Sequence, residues 1–93
     1  MLTIERTSQF KRDYKRESKG KYRSVLEIIF VEVLTELINE RPLEESYRDH
    51  GLSGNWKDHR DCHIKPDLVL IYRNPDKETL QLVRLGSHSE LGL

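Results

Sequence analysis

This chain is poor in the residues that would make its chemistry easy to read. It holds one cysteine, one methionine, one tryptophan and three prolines in 93 residues. The lone thiol, Cys62, excludes an internal disulfide, and a reducing compartment demands none. No apolar run approaches the ~18 residues of a membrane span, and no secretory leader opens the chain. These absences predict a soluble cytoplasmic protein with no membrane contact. Net charge is absent too, because 16 basic and 16 acidic side chains cancel. Apolar residues make up only 35% of the chain, which would suit disorder if they were scattered. They fall instead into periodic clusters, which predicts one small folded domain over residues 1–93.

The cancelled charge is segregated along the chain. Residues 11–24 hold seven basic groups (Lys11, Arg12, Lys15, Arg16, Lys19, Lys21 and Arg23) against two acids. Residues 27–49 hold seven acids against two arginines. Association responds to the local field, so a zero total leaves a polyanion partner open. All four histidines, His50, His59, His63 and His88, lie in the second half. The usual acid–base side chains for neutral pH are therefore confined there.

Alternation over "LTIERT" predicts a short first strand. Ser8 is placed to cap a helix running to about Lys19, with Phe10 and Tyr14 on one face and Gly20 as its stop. Tyr22, Val25, Leu26, Ile29, Val33 and Leu37 keep helical spacing, which predicts a second helix over 22–39. The short link makes the two an αα-hairpin. Pro42 ends that region, and a polar loop follows to residue 55. Residues 56–64, 68–73 and 79–86 then read as strands separated by "KPD" and "NPDKE", both with turn chemistry. Short links make neighbours antiparallel. The expected architecture is α+β, β-α-α-β-β-β, with a helical hairpin packed on one face of an antiparallel sheet.

Three candidate sites follow. His59, Cys62 and His63 tempt as metal ligands, but in a strand His59 and His63 stand roughly 13 Å apart at ~3.3 Å per residue, so no metal site is assigned. Cys62 alternates with Ile64 and belongs in the core, which sends His59, Asp61 and His63 to the opposite face. His50, Asp67 and His88 lie near the ends of the strands, where a compact meander can gather them around His63. Arg84, four positions before His88, is placed to meet a phosphate bidentately. Each has a plainer reading, as a solvated strand face or a surface charge.

The stretches "YRDHGLSGNWKDHRDCHIKPDLVLIYR" and "LVRLGSHSEL" go further. Their block of Gly54, Trp56, Arg60, Asp61, His63, Pro66, Asp67, Ile71 and Tyr72 resembles the YafQ branch of the RelE/ParE superfamily of bacterial toxins, and the likeness covers essentially the whole chain. It implies a RelE-like fold and an endoribonuclease, with no metal or other cofactor, that cleaves translated mRNA in the ribosomal A site. It also implies a type II toxin neutralised by a cognate antitoxin, as a heterotetramer. Residues matching the branch's catalytic positions are His50, His63, Asp67 and His88, and Arg84 matches its basic strand position.

The implied chemistry is attack of the RNA 2′-OH on the adjacent phosphate, leaving a 2′,3′-cyclic phosphate or its opened 3′-phosphate. His88 is paired with one proton transfer, and His50, His63 and Asp67 with the other. Asp67 acts either as the base or as the group that tunes an imidazole. Lys11, Arg12, Lys15, Arg16, Lys19, Lys21, Lys57 and Lys65 are the expected contacts to 16S rRNA and mRNA on the 70S ribosome. Many relatives carry an aromatic residue two positions after the Glu of "HSEL", where this chain has Gly92. Two other functions suit the same fold: a ParE-like inhibitor that binds DNA gyrase without cleaving RNA, and a plain nucleic-acid-binding module.

Overall fold

The computed structural model describes all 93 residues. Its organising element is the most apolar stretch of the sequence, Leu68–Arg73, which forms strand β4 with five of six residues buried. Strand β3 (Arg60–Lys65) flanks it through the two-residue turn Pro66–Asp67, and β5 (Thr79–Gly86) lies on its other side. These three make the expected antiparallel meander. The first strand, β1 (Thr3–Arg6), adds to the far edge of β5 in parallel. His50–Gly51 forms a two-residue β2 on the edge of β3. The sheet order is β1-β5-β4-β3-β2, so it is mixed rather than purely antiparallel.

Helix α1 (Ser8–Ser18) and helix α2 (Arg23–Ile38) form the hairpin. Thr7, not Ser8, caps α1: its hydroxyl accepts the Phe10 N–H at 3.0 Å. Phe10, Leu26, Phe30 and Val33 meet Cys62, Ile64, Leu70, Leu80, Leu82 and Leu85 in the main core. Fully burying each such side chain contributes ~1.5–3 kcal/mol.

Three further features differ from the sequence expectation. Residues Gly54–Trp56 are a 3-10 turn, and β3 starts only at Arg60. His88 does not end β5; it is the first residue of a short helix α3 (His88–Leu91). The second sheet face is covered rather than open, because Leu91 of α3, Leu52, Trp56 and Val83 close over Val69 and Ile71.

Two local devices set the geometry of β5. A bulge opposite Ile71 and Tyr72 leaves Val83 as the extra residue, so Val83 reaches the second face while Leu82 and Leu85 both keep the main core. Beyond Arg6, where β1 ends, side chains of the α1 region bind the edge of β5. The Thr7 hydroxyl donates to the Val83 carbonyl at 2.8 Å. Asp13 Oδ2 accepts the Leu85 N–H at 3.0 Å, and Arg16 Nη2 donates to the Leu85 carbonyl at 3.0 Å. The exposed half of an edge strand is thereby satisfied without another strand.

Candidate active site

His63 stands in the middle of β3 with an imidazole on either side. Its ring centroid lies 6.3 Å from that of His50 and 5.0 Å from that of His88, both edge-on. Three elements therefore deliver three imidazoles to one place: β2 brings His50, β3 brings His63 and the start of α3 brings His88. Beside them opens a cleft of about 500 Å³, lined by Tyr47, Arg48, His63, Lys65 and His88 among others.

His88 is held by Asp67 from the β3–β4 turn. Asp67 Oδ1 accepts both the His88 backbone N–H at 3.0 Å and Nδ1–H at 2.8 Å. Those two hydrogen bonds, the backbone one foremost, hold the Asp67 carboxyl below the usual range; the charges of His88 and, more weakly, Lys21 act the same way. An acceptor at Nδ1 fixes the ring and leaves Nε2 as the nitrogen of His88 without a protein partner. Asp67 thus sides with His88, not with His50 and His63, the group in which it was expected.

His50 sits directly across the β2–β3 ladder from Asp61. Its Nδ1 lies 2.7 Å from the Arg48 carbonyl and 3.1 Å from Asp61 Oδ1. Both neighbours are acceptors, so Nδ1 carries the proton and Nε2 is the lone-pair nitrogen of neutral His50. The strand is pinned through Asp49, which accepts the Tyr72 hydroxyl at 2.5 Å and Arg60 Nε at 3.3 Å. His63, between the two pairs, has its pKa pushed below the ordinary histidine value. Burial is the main cause, the charges of His88, Arg48 and His50 add to it, and Asp61 opposes them. It is the imidazole best suited to remain neutral.

The remaining sequence candidates divide. His59 packs half-buried on Trp56, with ring centroids 5.3 Å apart, away from the cluster. Arg84 is given to Asp13 rather than to the cleft: Nε lies 2.7 Å from Oδ2 and Nη2 3.3 Å from Oδ1, which occupies its bidentate edge. The four-residue spacing to His88 misled because the β5 bulge and a carboxylate 71 positions away intervene. Arg16 is likewise engaged, with Asp13 at 2.9 Å, Glu17 at 2.9 Å and Glu90 at 3.1 Å. Lys11, Arg12, Lys15, Lys19, Lys21 and Lys57 are exposed, and Lys65 lines the cleft.

Two groups escaped the sequence reading. Arg48 lines the cleft, and its signal was only its place two residues before His50. Asp61 is 2% exposed beneath the histidines. Its signal was strand alternation with His63, which also describes any polar strand face.

The geometry gains a frame from comparison. The family model for the YafQ bacterial toxin of type II toxin-antitoxin systems matches residues 2–92. The chain belongs to the YafQ family. It is 38% identical over 89 residues to the mRNA interferase toxin YafQ of Escherichia coli K12, covering 95% of this chain and 92% of that one. It is 37% identical over 95 residues to a putative YafQ toxin of Haemophilus influenzae, covering 99% and 93%. A copper-bound mutant toxin from Helicobacter pylori superposes with a TM-score of 0.90 at 38% identity, covering 98% of this chain and 99% of that one. A chain of the E. coli DinJ–YafQ complex superposes at 0.80 with 35% identity, covering 98% of each. The α+β fold read from the sequence is that of this YafQ family.

Proposed function

We propose that this YafQ-family toxin is a ribosome-dependent mRNA interferase whose cleft cuts RNA by 2′-OH attack, with imidazoles moving both protons. The observation that carries this reading is the convergence of His50, His63 and His88 from three elements, with carboxylates behind the outer two. His88 is the general acid: Asp67 fixes its ring through Nδ1–H, which leaves Nε2 to protonate the leaving 5′ oxygen. The His50 and His63 side accepts the 2′-OH proton. Arg48 and Lys65, rather than Arg84, are the cations positioned to meet the phosphate as charge builds on it.

The H. pylori mutant toxin is copper-bound, and a protein site for such an ion needs several donors converging on one point. No group of three or more His, Cys, Asp or Glu side chains is gathered closely enough to hold one. Nδ1 of His50 and of His88 already face acceptors, and Cys62 points into the main core. The residues as arranged do not fit a resident metal, and no step is routed through one.

The partners on this reading are the 70S ribosome with its 16S rRNA and mRNA, and a cognate antitoxin assembling with the toxin as a heterotetramer. The E. coli relative's complex with DinJ supports the antitoxin. The test is purified protein added to ribosomes carrying a defined mRNA, with cut sites mapped by primer extension. Codon-phased cuts that antitoxin suppresses are expected. Ribosome binding without cuts, or gyrase poisoning without cuts, would overturn the reading.

A further inference from the structure

Of the two carboxylates behind the histidines, Asp61 was given no part in the proton transfers above. Asp61 is 2% exposed, and its Oδ1 makes no hydrogen bond, the only buried side-chain polar atom of the protein in that position. An ionised oxygen left unpaired in the interior costs several kcal/mol and calls for a functional reason. That oxygen lies 3.1 Å from Nδ1 of His50, while the Nδ1–H is aligned on the Arg48 carbonyl at 2.7 Å. The interaction is therefore one of charge rather than a hydrogen bond.

We propose that Asp61 is a positioning residue for His50, fixing its ring with Nε2 outward and stabilising the positive charge His50 acquires as the base. The inference deepens the ribonuclease reading and rests on it. It makes the cleft a pair of carboxylate–imidazole units, Asp61–His50 on the proton-accepting side and Asp67–His88 on the proton-donating side, with neutral His63 between them. The two units differ in setting. Asp67 is exposed and hydrogen-bonded, whereas Asp61 is buried under its imidazole and held there by the cross-strand register of β2 and β3.

The groups facing Asp61 are His50 from β2, His63 from β3, His88 from α3 and Asp49 just before β2. Burial pushes the Asp61 carboxyl up, and the three imidazoles push it down when they are charged. The carboxylate therefore acts most strongly when a neighbouring ring takes up a proton, which is the event a base undergoes.

The test is single-turnover cleavage on programmed ribosomes by wild type, Asp61→Asn, His50→Ala and the double variant. Asp61→Asn keeps the side-chain shape and removes the charge. It is expected to lower the cleavage rate about tenfold or more, with KM for the programmed ribosome unchanged. The limb of its pH–rate profile that reports the base is expected to move to lower pH. The double variant is expected to be no slower than His50→Ala, as residues acting through one another are non-additive. Removing a buried unpaired charge is expected to leave the melting temperature equal or higher, which a merely structural role for Asp61 would not do.

Wild-type rate and pH profile in folded Asp61→Asn, with His50→Ala slow, would overturn the role of Asp61 and leave the ribonuclease reading standing. No cleavage by wild type would overturn the ribonuclease reading itself. Nitrogen NMR of the unmutated toxin gives a second measurement that needs no variant to fold. Neutral His50 is expected to carry its proton on Nδ1, and a proton on Nε2 would contradict the proposal.

Discussion

Histidine 88 shows how much a single residue depends on its neighbours here. Its Nδ1 and its backbone N–H share one oxygen of Asp67, so ring orientation and helix start are set together. Replacing His63 or His88 with alanine is expected to lower cleavage by ~10²-fold or more while the melting temperature holds, because neither side chain belongs to the apolar core. Folded His88→Ala with near-normal cleavage would remove His88 from the mechanism. At this scale the sequence was readable in part. His50, His63 and His88 stood out because few other groups of the chain titrate near neutral pH. Asp61 did not, since burial under an imidazole depends on a two-residue strand that no local pattern announces. Arg84 was misread because Asp13, its partner, comes from the other end of the chain.

Helix α3 is the element on which the site turns, and it is only four residues long. Periodicity cannot reveal so short a helix, and the sequence reading, which ended the last strand at residue 86, placed His88 only near that strand's end. The signal was present in another form. Ser87 and Glu90 make a capping box: the Ser87 hydroxyl accepts the Glu90 N–H at 3.2 Å, and Glu90 Oε1 accepts the Ser87 N–H at 3.0 Å. Gly92, with φ of +71°, ends the helix in the left-handed conformation, where a side chain would be strained. Arg16 reaches across from α1 to Glu90, close enough that a Cβ at Gly86 would stand 2.9 Å from its Nη2.

The longer elements were legible because their periods are unambiguous: the boundaries of α1, α2, β4 and β5 agree with the sequence reading to within one or two residues. Ser87→Ala is expected to cost about 1 kcal/mol of local stability at α3. Amide exchange at Glu90 should accelerate and cleavage should fall with His88 less ordered. Unchanged exchange at Glu90 would show that Asp67 alone holds the helix start.

At the scale of the whole molecule, Asp13 joins the two ends of the chain. It is 3% exposed, binds Arg84 and Arg16 and accepts the Leu85 N–H. Burial pushes its carboxyl up, but those three partners outweigh it and hold the pKa below the ordinary value. A carboxylate whose folded pKa is depressed gives stability that is present above its unfolded pKa of about 3.9 and lost as pH falls through the folded value. Asp13→Ala leaves Arg84 and the Leu85 N–H unpaired and is expected to cost ~3–5 kcal/mol by denaturant unfolding at neutral pH. Stability of that variant should also fall less steeply than that of wild type below about pH 4. An equal acid slope would show that Asp13 titrates alike in both states.

The charge pattern belongs to this scale as well. Lys11, Lys15 and Lys19 remain exposed on and just after α1 despite the zero total. Replacing all three with glutamine is expected to reduce the salt slope of ribosome binding by about two to three, at roughly 0.7–0.9 for each phosphate no longer neutralised. An unchanged slope would place the RNA-binding surface elsewhere.

The parallel pairing of β1 with β5 has a consequence during synthesis. The first strand and the buried carboxylate of the first helix find their partners only in residues 79–85, more than 60 positions further along the chain. A nascent chain whose final strand is still in the exit tunnel cannot close its sheet, and domains complete their folding as units once they emerge. His88 lies beyond that strand. A chain made only as far as β4 therefore has neither its closed sheet nor the imidazole of His88, and the two are gained together once β5 and the residues after it are available.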